Sequence, residues 1–339
     1  MQTAIAAIFV FGILILVHEL GHYFAARLTG IRVLELAIGF GPKLIGWTKN
    51  NIDYSVRVVP LGGFCRMLGE GPDESEEPDS FPQKPIISRA FVLLAGAGMN
   101  LILAILVFFS IFFFITGIPG YESAQIGYIL EDMPAEEAGL TAGDKILSVD
   151  GNPVNEWNDV LTLIGERSQE EIELEIERNG REILFSIETV AAPETGNGMI
   201  GIGPAMLKYR FMPSLQFSFE RFGMIIASMF QVLTGQAPLD VAGPVGIIFV
   251  IGEVAQTGFI NLLLLTALIS ISLGIMNLLP IPALDGGRLF FLLVEAVRGR
   301  KIDPEKEGFI HFIGFALLIL LILFITYQDL LRWVIIPGN

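Results

Sequence analysis

Cysteine is almost missing from this chain: Cys65 stands alone among 339 residues. An intramolecular disulfide framework and a cysteine-rich zinc site are therefore excluded. Histidine is nearly as scarce, with His18, His22 and His311 only. Charge is thin as well. Asp, Glu, Lys and Arg make up 17% of residues, against about 25% in ordinary soluble domains. Basic residues are the rarer sign, 21 against 36 acids, which leaves a net charge of −15. That balance argues against a nucleic-acid partner, which needs a basic face. With 53% hydrophobic residues and a mean hydropathy of +0.63, a disordered chain, a collagen and a simple soluble enzyme are also excluded. What remains is a membrane protein with a water-soluble part.

Long charge-free runs mark the membrane spans. Residues 1–17, 90–121, 254–284 and 309–326 contain no Asp, Glu, Lys or Arg. A span needs about 20 apolar residues, so the first run fits only if it continues through His18, Glu19 and His22 to about Ala26. No Lys or Arg precedes that run, so the basic start of a signal peptide is missing and a mature helix is expected. Two further runs, 222–239 and 241–252, are broken by Pro238, Gly243, Pro244 and Gly246. They read as interfacial or re-entrant helices rather than extra spans.

Loop charge gives an orientation. Residues 26–89 carry eight basic residues and 280–308 carry five, whereas 117–242 hold seven basic against twenty acidic residues. Basic loops stay in the cytoplasm, while long folded domains translocate largely regardless of charge. Four spans are expected, with both termini outside and one acidic external domain.

That domain reads as a small α+β unit. Strands are expected at Ile126–Leu130 and Ile146–Val149, and a helix over Asn155–Glu166 with Trp157, Val160, Leu161 and Ile164 on its apolar side. Ile172, Leu174 and Ile176 then alternate with Glu171, Glu173, Glu175 and Glu177, giving a strand with one buried and one acidic face. Asn179-Gly180 signals a type I′ hairpin into Ile183, Phe185 and Ile187. The run from Ala138 to Gly151, AGLTAGDKILSVDG, resembles the PDZ family. PDZ domains bind extended peptides by strand addition; a packing module that filters access by its bulk is the other possibility.

The chemistry-bearing motif is His18-Glu19-Leu20-Gly21-His22, or H-E-x-x-H. On a helix, positions i and i+4 share a face one turn apart, so both imidazoles can ligate one Zn²⁺. Glu19, about 100° around the helix, can reach the metal's water as general base. Ionisable groups inside a span are costly and are usually functional. A catalytic zinc wants a third protein ligand and an open position. His311 is one candidate. Asp285 is the better one, because it follows N277-LLPIPAL-D285-GG287 at the end of the third span. Pro280 and Pro282 keep the chain extended before it, and Gly286 and Gly287 allow a tight turn after it. Spans one and three run in the same direction, so both pieces reach the same side of the bilayer.

Tyr54, Val56 and Val58 alternate with Ser55 and Arg57 before Pro60, Gly62 and Gly63, which reads as a strand entering a sharp turn. An unpaired edge there could add an extended substrate strand. The acidic loop Glu70–Asp79, with Asp73, Glu74, Glu76 and Glu77, reads as a solvated linker.

Together, H-E-x-x-H in the first span, N-x-x-P-x-P-x-L-D-G after the third and a PDZ domain between spans two and three resemble the site-2 proteases, intramembrane zinc proteases. The likeness runs from residue 1 to about 327 and is greatest to the bacterial branch that cleaves membrane-anchored anti-sigma factors. It implies His18, His22 and Asp285 as zinc ligands, Glu19 as catalytic glutamate, and substrate contacts at Asn277, Gly62 and Gly63. It also implies a re-entrant β-hairpin or loop at about 36–68, cleavage of single-pass membrane proteins such as anti-sigma factors or signal-peptide remnants, and a bacterial inner-membrane location. The PDZ domain would then lie on the periplasmic side and the active site near the cytoplasmic side.

The expected architecture is a multi-pass α-helical membrane protein with an inserted α+β PDZ domain. Residues 1–116 form the first half of the core, 117–192 the PDZ domain, 193–253 a linker with interfacial helices, and 254–339 the second half. The sequence departs from the family pattern at Gly96-Ala-Gly-Met-Asn100, Ser272 and Cys65-Arg66, and none of these is a ligand position. A zinc transporter or a catalytically inactive PDZ scaffold are the rival readings. Transport would want acids or histidines at several depths and needs no general base; Glu19 is present, and a single cluster is visible.

Overall fold

The first charge-free run does continue through the H-E-x-x-H pentad. In the computed structural model, which describes residues 2–70, 76–193, 195–236 and 243–331, helix α1 spans Gln2–Thr29 without a break. Asp73, Glu74 and the Pro238 break lie outside the described residues. Two long strands follow, β1 (Val33–Lys49) and β2 (Ile52–Met67). Helix α2 (Ile86–Ser110) is continued by a π-type turn, Ile111–Ile115. The chain forms two compact units, Met1–Phe108 with Phe219–Asn339, and Phe109–Ser218.

The second unit holds short strands β3 (Ile118–Pro119) and β4 (Ile126–Ile129), helix α3 (Pro134–Glu137), strands β5 (Lys145–Val149) and β6 (Asn152–Pro153), and helix α4 (Trp157–Gly165). Strands β7 (Glu171–Arg178) and β8 (Arg181–Glu188) follow, then β9 (Val190–Ala191), β10 (Gly198–Met199), β11 (Ile202–Pro204) and β12 (Met206–Leu207). The main sheet has the order β6-β5-β7-β8. Ile172, Leu174 and Ile176 are fully buried with Ile146 and Trp157, as the alternation predicts. Asn179 and Gly180 take the positive φ angles of the expected hairpin turn.

Two expectations need correction here. Leu161 is 55% exposed rather than packed. Residues 198–207, at the start of the expected 193–253 linker, add strands to this unit: β11 pairs with β4, β12 pairs with β3, and Ile200 joins the core. The alternation signal is too short there to register as strand.

Helix α5 (Phe211–Leu233) starts in the second unit and ends in the first, where α6 (Pro244–Thr257), α7 (Phe259–Leu278), α8 (Asp285–Arg298) and α9 (Pro304–Leu330) follow. Among the described residues, four helices are long and apolar enough to cross a membrane: Gln2–Thr29, Ile86–Ile115, Phe259–Leu278 and Glu305–Leu330. Helix α5 carries Glu220 and Arg221 in its middle, and the 14 residues of α6 fall short of a span. The protein is a multi-pass helical membrane protein. Val10 and Leu14 of α1 are buried against Ile251 of α6 and Leu262 of α7. At the other end of α1, Ala25 and Ala26 pack with Leu36, Ile52, Met67 and Val92, which seats the strands and α2 on the same helix.

The two strands double back so that four segments pair in three ladders. Residues 35–38 pair with 53–56 on one side and with 63–66 on the other, while 43–49 pair with 52–57. Tyr54 and Val56 are therefore interior, paired on both sides, and the edge expected there lies instead at Gly63–Met67. Alternation reveals a strand but not which of its sides is paired.

Candidate active site

Helix continuity puts His18 and His22 one turn apart on α1. His22 Nδ1 lies 2.9 Å from the Val92 carbonyl oxygen of α2. A carbonyl only accepts, so Nδ1 carries the proton and Nε2 presents its lone pair, the arrangement a metal-ligating histidine needs. Helix α2 approaches closely at Gly96: a Cβ there would overlap His22 Nε2 and stand 2.8 Å from His18 Cε1.

The third member arrives from the distant end of the chain. Helix α7 stops at Leu278, Pro280 and Pro282 keep the backbone out of helix, and α8 starts at Asp285. Gly286 and Gly287 do not form the expected tight turn after the acid. They lie in the first turn of α8, and a Cβ on either would overlap a loop carbonyl, of Leu279 or Ile281 respectively. The backbone instead turns at Ala283, with φ +79°.

Asp285 Oδ2 stands 3.3 Å from His18 Nε2 and 3.3 Å from His22 Nε2, and the two nitrogens are 3.2 Å apart. A tetrahedral ion with bonds of about 2.0–2.1 Å spaces its ligand atoms about 3.3–3.4 Å apart. The donor set therefore fits one face of a zinc tetrahedron and leaves the fourth corner open. Among the described residues this is the one His/Cys/Asp/Glu group placed to hold a metal ion. Asp285 Oδ2 is buried without a hydrogen-bond partner, as an oxygen reserved for a cation would be. Burial acts to raise the Asp285 carboxyl, but the two imidazoles overcome it and hold the group below the usual carboxylate range.

These three residues line a cavity of about 330 Å³ with Glu19, Leu93, the Gly63–Met67 edge strand, Glu70 and Arg288. Glu19 is nearly buried and faces the Cys65 backbone amide. A Cβ on Gly63 would come within 3.1 Å of Glu19 Cγ and 2.8 Å of Ile15, so glycine lets the edge strand run directly over the glutamate. Gly62 takes φ +100°, and a Cβ on it would strike the Phe40 ring. Burial pushes the Cys65 thiol up.

Asn277 lies half-buried on the last turn of α7 and is not among the residues lining this cavity. His311 is not in the ligand triangle; its Nδ1 accepts from the Ala283 amide at 2.9 Å. Three features had no sequence signal, because their partners are remote along the chain. Arg288 pairs with Glu70 at 2.6 Å beside the cavity. Arg89 forks onto Glu295 at 2.6 and 2.9 Å, fastening α8 to the start of α2. In the acidic stretch, Glu77 and Asp79 clasp Arg32 at 2.7 and 2.8 Å rather than standing free.

Residues 6–321 match the family described as Peptidase family M50. Zinc metalloprotease RasP of Oceanobacillus iheyensis is 34% identical over 423 aligned positions, covering 98% of this chain and 99% of that protein. A putative zinc metalloprotease of Clostridium acetobutylicum is 37% identical over 342 positions, covering 99% and 98%. The Regulator of sigma-W protease RasP of Bacillus subtilis is 32% identical, covering 98% and 99%. Among solved structures, the PDZ domain of an SdrC-like protein from Listeria monocytogenes is 23% identical, covering 24% of this chain and 86% of that one, with a TM-score of 0.22. The M50 match across nearly the whole chain, together with relatives above 30% identity from end to end, establishes that this chain belongs to peptidase family M50, the site-2 proteases.

Proposed function

We propose that His18, His22 and Asp285 ligate the zinc of an intramembrane endopeptidase and that Glu19 is its general base and acid. The observation that carries this is the nearly equilateral triangle of Nε2, Nε2 and Oδ2, with Glu19 lining the same cavity. When bound, zinc supplies a Lewis acid that polarises a carbonyl and acidifies water to a pKa of about 7. Glu19 takes a proton from the attacking water and delivers it to the leaving nitrogen. Its burial beneath the edge strand keeps it close to the substrate backbone and shielded from bulk water.

The edge at Gly63–Met67 suits an extended substrate. A helical target must first unwind, since its carbonyls are occupied by intrahelical bonds. An unwound segment can then recover backbone hydrogen bonds by adding to that edge. Gly62 and Gly63 shape the edge, and the family resemblance alone, not the cavity lining, supports Asn277 at the end of α7 as a further substrate contact. The substrates are single-pass membrane proteins, cut within or near their spans. Anti-sigma factors are the favoured class, in keeping with the name of the Bacillus subtilis relative, and signal-peptide remnants are the other. The PDZ domain takes an extended peptide or acts as a steric filter. The basic loops at 26–89 and 280–308 support an active site near the cytoplasmic side of a bacterial membrane, with the acidic PDZ domain outside.

Glu19→Gln tests the assignment. Zinc content and membrane insertion should match the wild type, while cleavage falls by at least about 10²–10⁴, the usual worth of a positioned acid–base group. Unchanged cleavage of a membrane substrate by this variant would return the choice to a transporter or a scaffold.

A further inference from the structure

Asp285 can complete the triangle only if the loop before it keeps one unusual shape. Ala283 sits at φ +79°, in the left-handed region that a residue with a Cβ seldom occupies. Such a conformation persists only when the surroundings fix it. The contacts around it come from α9. The Ala283 amide donates to His311 Nδ1 at 2.9 Å, from the first turns of α9. Next to it, Gly314 lies so close to Pro282 that a Cβ there would overlap the proline ring. His311 is itself held, with its ring centroid 5.3 Å from that of Phe291 on α8. Because Nδ1 accepts, the ring proton belongs on Nε2, which faces Glu307 Oε1 at 3.8 Å.

We propose that His311 is a positioning residue for the metal centre: by accepting the Ala283 amide it holds the left-handed turn that aims Asp285 at His18 and His22. This rests on the reading of those three residues as zinc ligands. Without the acceptor, Ala283 relaxes to negative φ, and the carboxylate two residues later leaves the triangle. His311 touches neither substrate nor metal, so its contribution appears first in metal affinity.

The test measures zinc affinity of the full-length protein in detergent by competition with a chromogenic chelator. His311→Ala should weaken zinc binding about 10–100-fold, the usual effect of losing a residue that supports a ligand. His311→Asn should restore most of it, since its side-chain oxygen can accept from the same amide. Ala283→Gly should rescue His311→Ala, because glycine takes positive φ without cost. A purely structural role for His311 in α9 packing gives no such rescue. If His311→Ala binds zinc like the wild type, or if Ala283→Gly recovers nothing, the proposal fails. An Asp285→Ala control separates the two layers. Unchanged affinity in that variant overturns the metal-centre reading and this inference with it; reduced affinity there with full affinity in His311→Ala overturns this inference alone.

Discussion

Gly96→Ala adds one methyl group in the second span and should empty the metal centre of a folded protein. The new Cβ would overlap His22 Nε2 and lie 2.7 Å from His22 Cε1 and 2.8 Å from His18 Cε1. Ordinary contact begins near 3.4 Å, so both rings must retreat by about 0.6–0.7 Å or more. Metal-ligand distances tolerate only about ±0.2 Å. His22 cannot tilt away freely either, because its Nδ1 is tied to the Val92 carbonyl on the same helix. Zinc affinity should fall by about 100-fold or more, the upper end of the range for losing a supporting residue. The overpacking itself costs about 1–3 kcal/mol, which leaves a native protein folded. Gly98→Ala, two residues along the same helix, is the matched control. A Cβ there meets nothing within 4 Å, so it should stabilise α2 slightly, by about 0.5–1 kcal/mol, and leave zinc untouched. Metal content of the purified proteins by atomic emission, with a cleavage assay alongside, decides the matter. A Gly96→Ala protein that retains stoichiometric zinc and wild-type turnover would show that the rings do not sit where the structure has them.

Two further outcomes follow from other contacts. Gly63→Ala presses on the Ala37 carbonyl, Ile15 and Glu19 rather than on the histidines, so turnover should drop at least tenfold, roughly 1.4 kcal/mol, while zinc affinity holds; loss of zinc in that variant contradicts the separation of base and ligands. In the second unit, the Arg178 guanidinium at 2.6 Å and the Thr141 groups outweigh burial and hold Asp144 below the usual carboxylate range. A depressed folded-state pKa gives stability that is present above the unfolded value near 3.8 and is lost as pH falls through the folded one. Amide-exchange protection factors across β5 and β7, taken relative to the intrinsic rate at each pH, should therefore fall as acid is added below about pH 4, and Asp144→Asn should flatten that dependence; an unchanged slope removes Asp144 as its source.

What the sequence settled is local. The spacing of His18, Glu19 and His22 carries its own geometry, because a helix fixes the relation of i to i+4 without help from the rest of the chain. Alternation from Glu171 to Ile187 likewise dictates which residues face inward, and the Asn179-Gly180 pair dictates the turn between them. Charge-free length marks three of the four apolar helices, and the first once its run is carried through Glu19. Asp285 was visible as an acid after a proline-broken segment, and span direction put it on the same side of the bilayer as the two histidines, but its closeness to them was not legible locally, since no local period links them. Tertiary packing decided the rest. It made Gly63–Met67 the edge strand in place of the more regular Tyr54–Val58, because pairing on both sides is a property of the sheet. It moved the strained turn from the glycines to Ala283, because α9 offers His311 to hold it there. It left room for the imidazoles by placing Gly96 at the closest approach of two helices. Short-range periodicity can be written in a sequence residue by residue; which remote surfaces meet, and at what distance, depends on the whole chain having already packed.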